Sequence, residues 1–320
     1  MSHHAALGPG REFDRIRDIL DRLGQAAADS GDDCAVLPPG TGRVVVSVDA
    51  AVENVHFRRE WLAPDEIGWR ATAGGLSDLA AAGADVVGVL VALAVPDEGD
   101  LAESIMAGAG EAVAATGGKV LGGDLTRAAG VVVSVTAIGR ARIPMRRSGG
   151  RAGDGLWVTG TLGGARAALG AWEAGEEPDA AARQAFARPA PRIAAGRSLA
   201  SLGARAMMDL SDGLAGDVRH LAAASRAGAH VELERLPVHA SVAEAARRDG
   251  EPAVVFAARG GEDYELLVAM PGEFGEADAG RFTDVVGVPL TRIGHLDGTG
   301  TVSLVLEGRP VEASGFDHFA

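Results

Sequence analysis

The apolar residues of this chain fall into two kinds of segment, and their order limits the folds open to it. Residues 44–48, 86–95 and 131–138 are runs rich in Val and Ile, the pattern of buried strands. Between them lie segments of helical spacing. In residues 12–23, Phe13, Ile16, Leu20 and Leu23 share one face, and Gly24 stops the segment. Pro64 opens a second helix where its missing N–H costs nothing, and Gly83 ends it after about Ala82. Residues 102–115 make a small-residue helix, and Val120-Leu121 leads into Gly122-Gly123-Asp124. The second half repeats the mixture, with strands expected at 156–159, 206–210, 230–233 and 265–269, helices at 165–174 and 214–226, and a surface loop at 271–280. Strands and helices interleave without a strict βαβ rhythm, so the expected class is α+β rather than a doubly wound sheet. A length of 320 residues argues for roughly two domains. The basic, glycine-rich connection at 140–154 sets the expected domains at 1–139 and 140–320.

Composition excludes several functions. There are 44 acids against 30 bases, a formal charge of −14, with no basic stripe for a nucleic acid. The only lysine, Lys119, precedes Val120, so the Gly-Lys-Ser/Thr of a P-loop is missing. The only cysteine, Cys34, permits no internal disulfide and no multi-thiolate metal site. Residues 1–10 carry no apolar h-region. The longest apolar stretch, 80–96, contains Asp85 and two glycines and is too short for a bilayer. A cytoplasmic protein without a membrane partner is expected.

The acids carry the chemical signal. They sit in Gly/Ser-flanked clusters at the ends of apolar runs: Gly31-Asp32-Asp33, Ser47-Val48-Asp49, Ser77-Asp78, Gly122-Gly123-Asp124, Asp209-Leu210-Ser211-Asp212 and Gly260-Gly261-Glu262-Asp263. Magnesium takes such hard oxygen ligands and shares its shell with substrate phosphates. Glycines beside the acids let backbone N–H groups approach those phosphates. Two like charges about 4 Å apart repel by about 4 kcal/mol at an effective dielectric near 20. Acids converging on a polyphosphate therefore require cations between them, and a Mg²⁺–nucleotide is the expected ligand. Each cluster alone has a plainer reading: Asp32 and Asp33 as a turn, Asp212 as a helix N-cap, Asp49 as a solvated strand end, Asp78 as a surface acid. Arg127 and Arg147 are candidate phosphate clamps, and His56 follows the Asp49 run. Leu76-Ser77-Asp78 and Leu210-Ser211-Asp212 echo each other between the halves.

Taken in order, these motifs resemble the thiamine-monophosphate kinases. The resemblance rests on Gly31-Asp-Asp-Cys-Ala, Ser47-Val-Asp…His56-Phe57, Leu76-Ser-Asp-Leu-Ala-Ala-Ala-Gly-Ala84, Gly122-Gly-Asp-Leu-Thr-Arg127, Arg147-Ser-Gly, Met208-Asp-Leu-Ser-Asp-Gly-Leu214, Gly260-Gly-Glu-Asp-Tyr-Glu-Leu266 and Gly315-Phe-Asp-His-Phe319. It implies a two-domain α+β fold of the aminoimidazole-ribonucleotide-synthetase type, a homodimer whose N-terminal domains form a shared β-barrel, and Mg²⁺-dependent transfer of the γ-phosphoryl group of ATP to thiamine monophosphate. By motif match it implies metal positions at Asp32, Ser47, Val48 (through its backbone), Asp49, Asp78, Asp124, Asp209 and Asp212. It implies ATP contacts from Gly123, Asp124, Arg147 and Ser211, and substrate contacts from His56, Glu262 and Phe316. Asp78, Asp124, Asp209 and Asp212 would carry catalysis. The chain departs from the pattern at Val48, where the family has Thr, at Gly75, where it usually has Asn, and at Ala313-Ser314, where an aromatic residue commonly stands. A sibling enzyme of the superfamily with another acceptor, or a non-catalytic nucleotide-binding scaffold, are the competing expectations.

Overall fold

The computed structural model describes residues 11–27, 37 and 39–316. It divides into two compact units: residues up to Leu79 with Ala84–Arg142, and Ala80–Gly83 with Ile143 onward. Among the described residues no helix is long and apolar enough to cross a membrane.

The first unit contains α1 (Arg11–Leu23), β1 (Arg43–Val52), α2 (Pro64–Ala81), β2 (Asp85–Val95), α3 (Leu101–Ala114), β3 (Lys119–Arg127) and β4 (Val132–Ala141). Its sheet has the order β1-β4-β2-β3, with β4 antiparallel to β1 and β2, and β3 parallel to β2. One face is buried under helices through Val89, Val91, Leu93, Val133, Val135 and Ala137. Gly75 of α2 lies against Val135 and Ala137, while α3 packs on α1, β2 and β3. Alternation sends every second residue of β1 to the other face. There Val44, Val46 and Val48 are 47%, 59% and 66% exposed.

Helices α2 and α3 approach through glycine. A Cβ on Gly68 would lie 1.8 Å from the Ile105 carbonyl oxygen, and one on Gly108 would lie 1.7 Å from that of Asp65. Gly108→Ala must push the two backbones apart, and such overpacking costs about 1–3 kcal/mol. The expected result is a lower denaturation midpoint in a urea melt. An unchanged midpoint would mean that the helices separate without loss.

The second unit contains β5 (Gly155–Thr159), α4 (Gly164–Glu173), α5 (Ala180–Ala187), α6 (Ile193–Ser201), β6 (Ala206–Asp209), α7 (Leu214–Ser225), β7 (Gly228–Glu232), α8 (Val242–Asp249), α9 (Ala253–Arg259), β8 (Leu266–Met270), α10 (Glu276–Val286), β9 (Leu290–Asp297), β10 (Val302–Leu306) and β11 (Arg309–Pro310). Its sheet order is β11-β10-β7-β9-β5-β8-β6. All pairs are antiparallel except β10 with β7. Leu156, Val158, Met208, Ala229, Val231, Leu267 and Leu304 form a core with Leu214, Val218 and Leu221 of α7 and with Ala257 and Ala258 of α9. Trp157 meets Phe274 edge to face at 5.3 Å.

Four local expectations change. Asp49 lies within β1 rather than at a strand end, because the strand continues to Val52. Gly122-Gly123-Asp124 lies inside β3. Residues 276–280, expected as loop, begin α10, where the Asp278 carboxylate accepts from Gly275 N–H at 2.9 Å. The Leu-Ser-Asp echo has no common local structure: one copy is mid-helix in α2, the other is the turn between β6 and α7.

Candidate active site

In the first unit, Ser47 and Asp49 lie in register with Ala137 and Val135, on the helix-covered face. Ser47 Oγ donates to Asp78 Oδ2 at 2.5 Å, so strand and helix bring these two predicted residues together. Asp49 Oδ1 accepts from Ala50 N–H at 2.8 Å. Val48 points to the opposite, open face. Asp124 does too: it lies in register with Ala92, which faces Ser134 and then Ala50. The first unit therefore does not gather Asp124 with Asp49 and Asp78. A Cβ on Gly123 would lie 1.9 Å from the Val91 carbonyl oxygen, so the close pairing of β3 with β2 by itself requires glycine there. Asp32 lies outside the described residues.

His56 lies in the tight turn that follows β1, in which Asn54 has φ 65°. Its Nδ1 accepts from Val52 N–H at 3.1 Å. A neutral ring in that position carries its proton on Nε2. Below it, the buried Arg70 of α2 reaches the His56 carbonyl at 3.5 Å.

In the second unit, three segments meet at the N-terminus of α7. Asp209, 5% exposed, closes β6, and the turn 210–213 follows. Loop 260–264 clasps that turn: Glu262 N–H donates to Ser211 O at 2.7 Å and Tyr264 N–H to Leu210 O at 2.9 Å. Glu262 and Tyr264 hold positive φ values of 64° and 50°. The tail completes the clasp, with Phe316 N–H donating to Asp212 O at 2.8 Å. Phe316 itself stays 59% exposed. Beside the tail, Arg219, Arg259, Leu304, Val311, Ala313 and Ser314 line part of a pocket of about 660 Å³.

Sequence reasoning missed Asp217. It is 1% exposed in the first turn of α7. Burial, with the charges of Asp212 and Asp209 adding, pushes its carboxyl up to about 7, against the pull of Arg147. An acid in the first turn of a helix that follows Asp-Leu-Ser-Asp-Gly was the available signal.

Among the described residues, no group of three or more His, Cys, Asp or Glu side chains is arranged to hold a metal ion by itself. The donor chemistry nevertheless fits magnesium. Asp209 and Asp212 lie close enough to Asp217 for their charges to raise its carboxyl, and hard carboxylate and hydroxyl oxygens are the ligands magnesium takes, in ones and twos beside phosphates and water.

Residues 31–141 match the family described as AIR synthase related protein, N-terminal domain, and residues 151–306 match its C-terminal domain. The chain is thus a two-domain α+β protein of that class. The thiamine-monophosphate kinase of Mycobacterium tuberculosis (strain CDC 1551 / Oshkosh) is 37% identical over 249 residues, 76% of this chain and 74% of the relative. The solved thiamine-monophosphate kinase of Stenotrophomonas maltophilia K279a is 33% identical with a TM-score of 0.81, over 95% of this chain and 98% of that one. A structure described as AaThiL complexed with AMPPCP and TMP is 29% identical with a TM-score of 0.77, over 86% of this chain and 87% of that one. The chain belongs to the thiamine-monophosphate kinase family.

Proposed function

We propose that this chain transfers the γ-phosphoryl group of ATP to thiamine monophosphate, giving thiamine diphosphate and ADP. The observation that carries this reading is the likeness, over 86% of the chain, to a protein complexed with AMPPCP and TMP. The acceptor is a phosphate monoester with a second pKa near 6, so its attacking oxygen is largely ionised at pH 7 and no general base is required. Catalysis then rests on positioning and on neutralising charge. Magnesium ions bound with the nucleotide supply that neutralisation. We assign them to Asp49, Asp78, Asp124, Asp209 and Asp212, with Asp32, Ser47 and the Val48 backbone as further positions. Ser47 orients the Asp78 carboxylate through its hydroxyl. Gly123, Arg147 and Ser211 face ATP. His56 offers Nε2–H to the acceptor phosphate, because Val52 occupies Nδ1. Glu262 orients the acceptor, and Phe316 with the pocket beside Ala313 receives its ring. A single in-line displacement inverts configuration at phosphorus.

We also propose a homodimer formed through the open face of the first sheet. Val44, Val46 and Val48 expose β-branched side chains there, and an apolar strand face of this kind calls for a cover. Asp124 shares that face, so in a dimer it lies toward the partner. A cytoplasmic location fits a chain with one cysteine.

The acceptor test is ADP release with ATP and Mg²⁺, comparing thiamine monophosphate, thiamine and no acceptor. ADP formed only with the monophosphate is expected. Equal release without acceptor would contradict the reading. The Val48 departure gives a narrower test. Its side chain lies on the face opposite Ser47 and Asp49, and β4 and β2 separate it from Asp124 on β3, so a hydroxyl added there lies apart from all three. Val48→Thr is expected to leave the Mg²⁺ half-saturation within about twofold. A change of tenfold or so would mean that the side chain reaches the cation.

A further inference from the structure

Four backbone hydrogen bonds hold the turn 210–213 from outside α7. Leu210 N–H donates to Glu265 O at 2.8 Å, and the carbonyls of Leu210, Ser211 and Asp212 accept from Tyr264, Glu262 and Phe316. Asp212 N–H is held from α7 instead, by the side chain of Asp217, with Oδ2 at 3.3 Å.

The helix dipole favours an acid in this first turn, but it does not call for a buried one. The N-cap of α7 is Gly213, with no side-chain cap. The neighbours of Asp217 on the helix, Leu214, Val218 and Leu221, belong to the apolar core. A buried carboxylate costs free energy unless hydrogen bonds compensate it, and its position beside Asp209 and Asp212 adds like-charge repulsion. An apolar residue would pack here at lower cost. The carboxylate instead reaches back to the residue before the N-cap, one position further than the acid of a capping box, and fixes the residue from which a predicted metal-binding side chain projects.

We propose that Asp217 is a positioning residue that sets the Asp212 carboxylate by holding the Asp212 backbone N–H. The proposal rests on the phosphoryl-transfer reading for Asp212 and names a further residue of that site. Supporting residues one step behind a metal ligand typically matter by about 10–100-fold in metal affinity or activity.

The test uses Asp217→Ala, Asp217→Leu and Asp217→Asn in the full chain. For each, the Mg²⁺ dependence of ATP binding is read by calorimetry, and turnover with thiamine monophosphate is read beside it. Asn keeps a carbonyl acceptor of the same reach. The expected result is an Mg²⁺ half-saturation raised about 10–100-fold in Ala and Leu, with Leu melting no lower than wild type, and Asn within about threefold of wild type. A merely structural role would lower the melting temperature of Ala and leave its Mg²⁺ dependence unchanged, and that result overturns the proposal. Asn as impaired as Ala also overturns it, because the charge rather than the acceptor would then matter. If wild type binds Mg²⁺ and ATP but makes no thiamine diphosphate, the functional reading fails while the binding series still decides the role of Asp217.

Discussion

Asp78→Asn is expected to lower kcat by at least about a hundredfold while the melting temperature stays within about 3 °C of wild type. Asp78 lies in α2, and its Oδ2 accepts from Ser47 Oγ at 2.5 Å, which ties the helix to β1. Asn has the same shape and keeps an acceptor for Ser47, so the link between strand and helix survives. What it loses is the negative charge. In the proposed mechanism that charge helps hold the cations against the transferred phosphoryl group, and no other group replaces it. Steady-state kinetics beside a thermal melt check both halves of the statement. Near-normal turnover would remove Asp78 from the metal site. Loss of turnover with a collapsed melt would show a structural role instead.

The largest effect on stability is expected at Glu265. It stands at the head of β8 and is 3% exposed. Oε2 accepts from Thr159 Oγ1 at 2.6 Å and from Arg192 Nε at 2.8 Å, while Oε1 accepts from Arg192 at 2.5 Å. Thr159 Oγ1 in turn accepts from Leu266 N–H at 2.8 Å. Glu265→Ala leaves the guanidinium and a fully buried hydroxyl without their acceptor. Breaking a buried pair from one side costs about 3–5 kcal/mol. The lower end is expected, because the Arg192 side chain is 25% exposed and regains some water. Denaturant titration should show the midpoint falling without a change of slope. A loss below about 1 kcal/mol would mean that the pair contributes little net stability. Glu265→Gln keeps the size and one acceptor and should fall between. Since the Glu265 carbonyl also receives Leu210 N–H, Glu265→Ala is expected to weaken ATP binding as well.

The parts of the fold legible in the sequence are those whose own periodicity decides their structure. In the first unit, α1, α2, α3 and β2 follow from apolar spacing bounded by Pro or Gly. The failures have physical causes. Gly122 and Gly123 read as the end of a run, yet β3 continues through them in its pairing with β2, and the residue at 123 is glycine because the Val91 carbonyl leaves no room for a Cβ. Residues 271–280 carry few apolar groups, and α10 is held instead by its cap and by the burial of Ala279 and Phe282. The Ala-rich α5, α6, α8 and α9 and the strands β9 to β11 lacked a strong enough pattern to stand out from their surroundings.

The candidate site was legible as a set of acids but not as a geometry. The pairing of Ser47 with Asp78 depends on α2 crossing the buried face of β1, which no local pattern states. The place of Asp124 on the open face follows from the register across four strands. Asp217 was hidden because an acid in the first turn of a helix has an ordinary explanation in the helix dipole. Only the backbone geometry shows that it reaches Asp212.

The most direct test of the central claim uses ATP labelled with ¹⁸O on the γ-phosphoryl oxygens, incubated with the protein, Mg²⁺ and thiamine monophosphate, with the products weighed by mass spectrometry. The account predicts unlabelled ADP and thiamine diphosphate carrying the label on its terminal phosphoryl group. Labelled inorganic phosphate with no labelled thiamine diphosphate would contradict it.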